Sequence, residues 1–216
     1  MRRFGGVLLA CAACALISQP LAAQVWHNLG GGAAAALLRF RSTTPFGGEA
    51  MSGPAAGAQA RMVIGPVAFE GSYLQGRLSP DTGSAPARDV ADASLFLVAR
   101  PAGWLALKAG PHLRSYITPG GTERWMTWEG RARLSAELVP GLLRTYVEAW
   151  VAASADVNVG SGASGAQGGE AGLSLYPARS PLWVRLGYGF DQAKMKGNAR
   201  TETLETLMLA VGLGGR

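Results

Sequence analysis

The sequence predicts an all-β protein, an antiparallel transmembrane β-barrel of ten strands, with eight strands as the alternative count. Charged and apolar residues alternate one by one along several segments, and clusters of turn-forming residues separate these segments. After residue 23, no apolar run approaches the length that a membrane-spanning helix needs. The chain is mildly apolar, with 16% charged residues and 31 glycines, a composition that suits strands with one apolar and one polar face.

The segment 124–138 shows the alternation most clearly. Its even positions after Arg124 are all apolar or glycine, whereas Glu129, Arg131 and Arg133 stand at odd positions. Successive side chains of a strand point to opposite faces, so a strand here has one apolar face and one charged face. A helix would scatter the same charges around its circumference.

Nine further segments are candidate strands: 33–42, 58–65, 67–78, 89–100, 104–117, 142–156, 170–177, 182–192 and 202–214. The alternative count of eight arises if 33–42 and 58–65 are not membrane strands. Within 33–42, we expect Arg39 and Arg41 to face the barrel interior and Phe40 to face outward.

The connections between candidate strands alternate in length along the chain. Short turns are predicted at 65–66, 100–103, 139–141 and 177–181, and longer loops at 43–57, 79–88, 118–123, 157–169 and 193–201. Transmembrane barrels have short turns at one end and long loops at the other. A soluble β-sandwich also alternates along its strands, but the regular succession of short and long connections favours the barrel.

The first 23 residues indicate a secretory signal peptide. Arg2 and Arg3 precede the apolar stretch 7–17, and small residues after Pro20 offer cleavage following Ala23. A lipoprotein signal is the alternative, because residues 8–11, Leu-Leu-Ala-Cys, faintly resemble a lipobox. Because the charged start, the apolar stretch and the small residues favour a cleaved secretory signal, we expect a signal peptide at 1–23, a periplasmic leader at 24–32 and the barrel at 33–216.

Removal of this signal peptide changes which chemistry the chain can carry. Both cysteines, Cys11 and Cys14, lie inside it, so the mature chain has no disulfide, thiolate metal site or cysteine nucleophile. The formal net charge falls from +6 to +4 when Arg2 and Arg3 are lost. Without a lysine–arginine run, this charge does not indicate nucleic-acid binding.

The alternating segments, the turns between them and the export signal together resemble small bacterial outer-membrane β-barrel proteins. The resemblance is one of pattern and covers 33–216. It implies a location in the bacterial outer membrane, contact with outer-membrane lipid and insertion by the barrel-assembly machinery; it does not identify a partner protein. One departure is the last strand, which is followed by Gly-Gly-Arg, whereas such proteins usually end in an aromatic residue.

The interior of the predicted barrel carries the candidate site. Alternation directs eleven ionisable side chains inward as lumen-lining candidates: Lys108, His112, Arg114, Glu129, Arg131, Arg133, Glu137, Arg144, Glu148, Arg185 and Asp191. Two roles follow from such a set. The charges form a stabilising ion network that fills the lumen, or they line a narrow, weakly anion-favouring pore.

The residues that catalysis or metal binding would need are sparse. The chain has two histidines, His27 in the predicted leader and His112. Ser115 lies three residues after His112, which places the two side chains on opposite faces of a strand. We therefore expect no catalytic residue, no cofactor and no metal. A barrel enzyme acting on lipid or peptide, and a surface adhesion protein using loops 43–57 and 79–88, remain the alternatives.

Overall fold

The computed structural model describes residues 28–83, 85–160 and 162–214; the predicted signal peptide at 1–23 lies outside this range. The described residues form ten strands: β1 Leu29–Thr44, β2 Gly47–Ile64, β3 Val67–Pro80, β4 Arg88–Ala102, β5 Leu105–Thr118, β6 Gly121–Val139, β7 Leu143–Val157, β8 Ala163–Leu175, β9 Leu182–Met195 and β10 Thr201–Gly214. A short 3-10 helix, Lys196–Asn198, precedes β10. Within the described part of the chain, no helix is long and apolar enough to cross a membrane.

The ten strands form a closed barrel. Each strand pairs antiparallel with the next, and β10 pairs with β1 from Gly30 opposite Gly214 to Thr43 opposite Thr201. Closure leaves no sheet edge with unpaired backbone groups, which is the condition for a sheet to span a bilayer. The predicted ten-stranded barrel is confirmed. The alternative of eight strands is wrong, because 33–42 and 58–65 belong to β1 and β2, which pair on both sides.

The two ends of the barrel differ in what they carry. Leu29 and Gly214 lie at one end, together with the connections that follow β2, β4, β6 and β8; we call this the terminal end. The opposite end is the distal end. Strand β1 begins at Leu29 rather than at residue 33, so the wall includes the glycines at 30–32 that the sequence assigned to the leader.

The outer face of the barrel carries a band of large apolar side chains. Leu37 is 61% exposed, Val147 58% and Leu134 51%. In a protein surrounded by water, so many large apolar side chains would be an unfavourable surface. In a bilayer they contact acyl chains, which explains why one face of each alternating segment is apolar.

The predicted succession of short turns and long loops holds only in part: 65–66 is a short turn and 81–87 a longer loop, but the lengths do not alternate regularly along the chain. Strands β1 and β2 meet at the two residues Pro45 and Phe46 instead of a loop at 43–57, and β8 already begins at Ala163. The terminal end carries a longer connection, 176–181. The reason is that ladder hydrogen bonds need only the backbone, so the polar and glycine-rich stretches at 47–57 and 163–169 pair as strands although their side chains resemble those of loops.

The orientation predicted for the end of β1 is also wrong. Phe40 is fully buried inside the barrel, whereas Arg39 and Arg41 are exposed. Arg41 forms an ion pair with Glu205 at 3.4 Å. These residues lie on the distal side of the apolar band, where the outer face meets water. There the outer side chains are polar and the inner ones apolar, the reverse of the arrangement in the membrane.

Candidate functional site

Nine of the eleven lumen-lining candidates lie on three neighbouring strands, β5, β6 and β7. Lys108, His112 and Arg114 alternate along β5, and Glu129, Arg131 and Arg133 alternate along β6. Strand pairing brings these rows into register, with Lys108 opposite Arg131 and Arg133 opposite Glu148 of β7. Opposite positions on one face of a sheet are near enough for direct side-chain contact.

Glu148 is the centre of the network. Its carboxylate lies 3.0 Å from the Lys108 ammonium, and it accepts hydrogen bonds from Arg131 at 3.3 Å and Arg133 at 2.7 Å. Lys108 also contacts Glu70 at 2.8 Å. Glu148 is only 2% exposed, so its charge depends on these three cations for the stabilisation that water would otherwise provide.

A second group of ion pairs lies towards the distal end and contains His112. The Nδ1 atom of His112 lies 2.7 Å from Glu129, and Nε2 lies 2.9 Å from Asp92. Two carboxylate partners favour the ring with both nitrogens protonated, because both then donate. Arg114 continues the chain of contacts, donating to Asp92 at 2.8 Å and to Asp191 at 2.5 Å.

Three of the lumen-lining candidates lie apart from these two groups. Glu137 and Arg144 form a 2.8 Å pair near the terminal end, with side chains 45% and 36% exposed. Arg185 donates to the Gln59 amide oxygen at 3.3 Å, and its guanidinium group stacks near the rings of Tyr146 and Trp183. The structure therefore connects eight of the eleven candidates in one buried set of ion pairs, in which Arg131 joins the two groups by contacting both Glu129 and Glu148, and leaves these three outside it.

The aromatic residues Phe96, Tyr146 and Trp150 are the part of this site that the sequence did not identify. Arg131 packs over Phe96 at 4.4 Å, and Arg133 packs over Tyr146 at 4.3 Å. The Trp150 indole donates to Asp191 at 3.0 Å. Tyr146 and Trp150 lie two residues before and after Glu148 on β7, so all three side chains point to the same face of the strand. This spacing is the sequence signal that could have identified them.

A cavity of about 280 Å³ lies within this charged interior. Its lining extends from Arg100, Tyr176 and Gly214 near the terminal end to Leu204. Eight arginines and lysines and five carboxylates line it, so the cavity has an excess of positive charge. In the described residues, no group of three histidine, aspartate or glutamate side chains is placed to hold a metal ion.

Apolar side chains fill the barrel interior above this cavity. We call them the distal apolar plug: Leu38, Phe40, Met51, Leu78, Val90, Tyr116, Trp125, Val157, Met195 and Leu204. The rings of Phe40 and Tyr116 are in contact, with centroids 5.0 Å apart. All plug residues are buried, and Leu204 also lines the cavity, so the plug lies on the distal side of the cavity.

The fold is similar to that of a solved bacterial protein domain. The translocator domain of the autotransporter NalP from Neisseria meningitidis aligns with a TM-score of 0.54 at 12% identity, covering 86% of this chain and 88% of that one. This chain has the fold of an outer-membrane β-barrel. At this identity the likeness concerns the fold alone.

Two further solved structures also align with this chain. Neisserial surface protein A aligns at a TM-score of 0.39 and 12% identity, over 85% of this chain and 96% of that one. Ail, the attachment invasion locus protein of Yersinia pestis, aligns at 0.40 and 12%, over 86% and 98%. No protein-family model and no curated protein matches the sequence.

Proposed function

We propose that this protein is an integral outer-membrane β-barrel with a charged lumen that has a structural role and does not catalyse a reaction. The observation that carries the proposal is the distal apolar plug, which lies directly above the ion-paired cavity. An open pore needs a continuous water path, and closely packed apolar side chains exclude water. A narrow, weakly anion-favouring pore is the competing function.

The proposed location is the bacterial outer membrane, reached through the secretory signal. The apolar outer band and the barrel fold support this location. In this arrangement the terminal end faces the periplasm and the polar distal rim faces outward. Outer-membrane lipid is then the partner of the outer face, and the barrel-assembly machinery is the partner during insertion.

Planar-bilayer recording of the purified, unmodified barrel tests the closed interior. We expect no defined unitary conductance step, because the plug fills the distal part of the lumen. Reproducible unitary steps would instead favour the narrow pore.

Detergent extraction of outer membranes followed by gel migration with and without heating tests the location. A protein found in the soluble periplasmic fraction would contradict it.

The His112→Ala variant tests the absence of catalysis. Both ring nitrogens of His112 already bind carboxylates, so we expect any measured lipid or peptide hydrolysis to stay at its unmodified level. The free energy of unfolding should fall by about 1.5–3 kcal/mol, the range for a hydrogen bond to a charged group. Ser115→Ala is the matched control and should change neither quantity. Loss of a hydrolytic activity in both variants would support the enzyme alternative.

A further inference from the structure

Four side chains stand where the interior cavity meets a second cavity at the terminal end. Arg61, Arg100, Arg144 and Tyr176 line both cavities. The second cavity has a volume of about 200 Å³, enough for a small polyatomic anion. Three guanidinium groups therefore border one small space near the entrance to the barrel.

These three arginines differ in their carboxylate partners among the described residues. Arg144 pairs with Glu137, and Arg61 lies 3.6 Å from Glu70, which Lys108 holds more closely at 2.8 Å. Among the residues that the structure describes, no carboxylate is in ion-pair contact with Arg100. Arg100 is within electrostatic reach of Arg61 and Arg144, which repel its charge, and of Glu70, which attracts it.

The charges of Arg61 and Arg144 repel that of Arg100, and a bound anion would offset this repulsion. The guanidinium group is planar and offers parallel N–H donors that match the oxygens of a phosphate group. The other side of the cavity is formed by the apolar residues Val139, Leu142 and Leu143. The same space therefore offers cations to a phosphate group and an apolar surface to a chain attached to it.

We propose that Arg61, Arg100 and Arg144 form a phosphate-binding site at the terminal end of the barrel. The phosphate is that of a phospholipid headgroup or a free phosphate ion. The site goes beyond the proposed structural role and does not depend on whether the lumen conducts. Arg100 is its main contact, because no carboxylate of the described residues is paired with it and would have to be displaced by an incoming anion.

Calorimetric titration of the refolded, detergent-solubilised barrel tests the site with two probes. Inorganic phosphate is the first, and short-chain phosphatidic acid is the second, with the matching diacylglycerol as the probe that lacks phosphate. Binding of inorganic phosphate supports the site with the free ion as a source. Binding of phosphatidic acid alone, without binding of the diacylglycerol, supports it with the headgroup as the source. If neither phosphate-bearing probe binds, the proposal is wrong.

Variants of Arg100 distinguish a built site from general attraction to a basic surface. Arg100→Ala should weaken binding about tenfold or more, and Arg100→Lys should weaken it less, because lysine keeps the charge but not the paired donors. Arg179 is an exposed arginine in the connection 176–181 at the same end and lines neither cavity. Arg179→Gln should therefore leave binding unchanged. Equal weakening by Arg100→Ala and Arg179→Gln would overturn the site. Heat-dependent gel migration verifies that each variant is folded.

Discussion

Replacing Phe40 and Tyr116 together by alanine should convert a closed barrel into a conducting one. The two rings contact each other inside the distal apolar plug and are 0% and 2% exposed. We expect their removal to open a path from the distal end to the 280 Å³ cavity beneath. We expect unitary steps in planar bilayers, with a weak preference for anions because the cations lining the cavity outnumber the carboxylates.

A matched control separates loss of the plug from a general loss of structure. Trp128 is an aromatic residue on the outer face, 53% exposed, and Trp128→Ala should leave the barrel non-conducting. The double variant must still show heat-dependent gel migration, since each deleted core ring costs about 3–5 kcal/mol. A folded double variant that does not conduct would show that the plug is not what closes the barrel.

The second large effect is expected for Glu148→Gln. This substitution keeps the size of the side chain but removes the charge that Lys108, Arg131 and Arg133 share. Lys108 and Arg131 retain Glu70 and Glu129, but Arg133 loses its ion-pair partner. Removing one partner from a buried ion pair costs about 3–5 kcal/mol, and we expect a loss of that order in the free energy of unfolding, measured by urea titration in detergent.

Glu137→Gln provides the comparison for Glu148→Gln. It removes the same charge from an ion pair of similar length, 2.8 Å to Arg144, but both side chains there are well exposed. Exposed ion pairs contribute little to stability, so we expect the unfolding transition to stay where it is in the unmodified barrel. If the two variants lose equal stability, burial is not what makes the Glu148 network important.

The wall of the barrel could be predicted from the sequence because alternation is a local signal. Within the apolar band, residues that face lipid are apolar and residues that face the interior are charged. The two types therefore alternate along the sequence, as in 124–138. Beyond the band this contrast disappears. Strand β1 near Phe40 and the paired stretch 47–57 therefore could not be assigned correctly, since water lies outside and apolar side chains lie inside.

The contacts of the site depend on a different kind of information. His112 showed no acidic neighbour in sequence, but Asp92 of β4 and Glu129 of β6 bind its two nitrogens. These partners are set by the register of three strands, and register cannot be read from the parity of each strand alone. The same holds for Arg114 and Asp191, which meet across the interior.

The pairing of β1 with β10 also has a consequence for how the chain folds. It joins Gly30 to Gly214, residues from opposite ends of the barrel sequence, whereas the other pairs are neighbouring hairpins. Closing the longest loop carries the greatest entropic cost, so we expect the hairpins to form first and this seam last. Until then, β1 and β10 each expose an edge that a second chain can extend. The protein is therefore most prone to aggregate just before the wall closes.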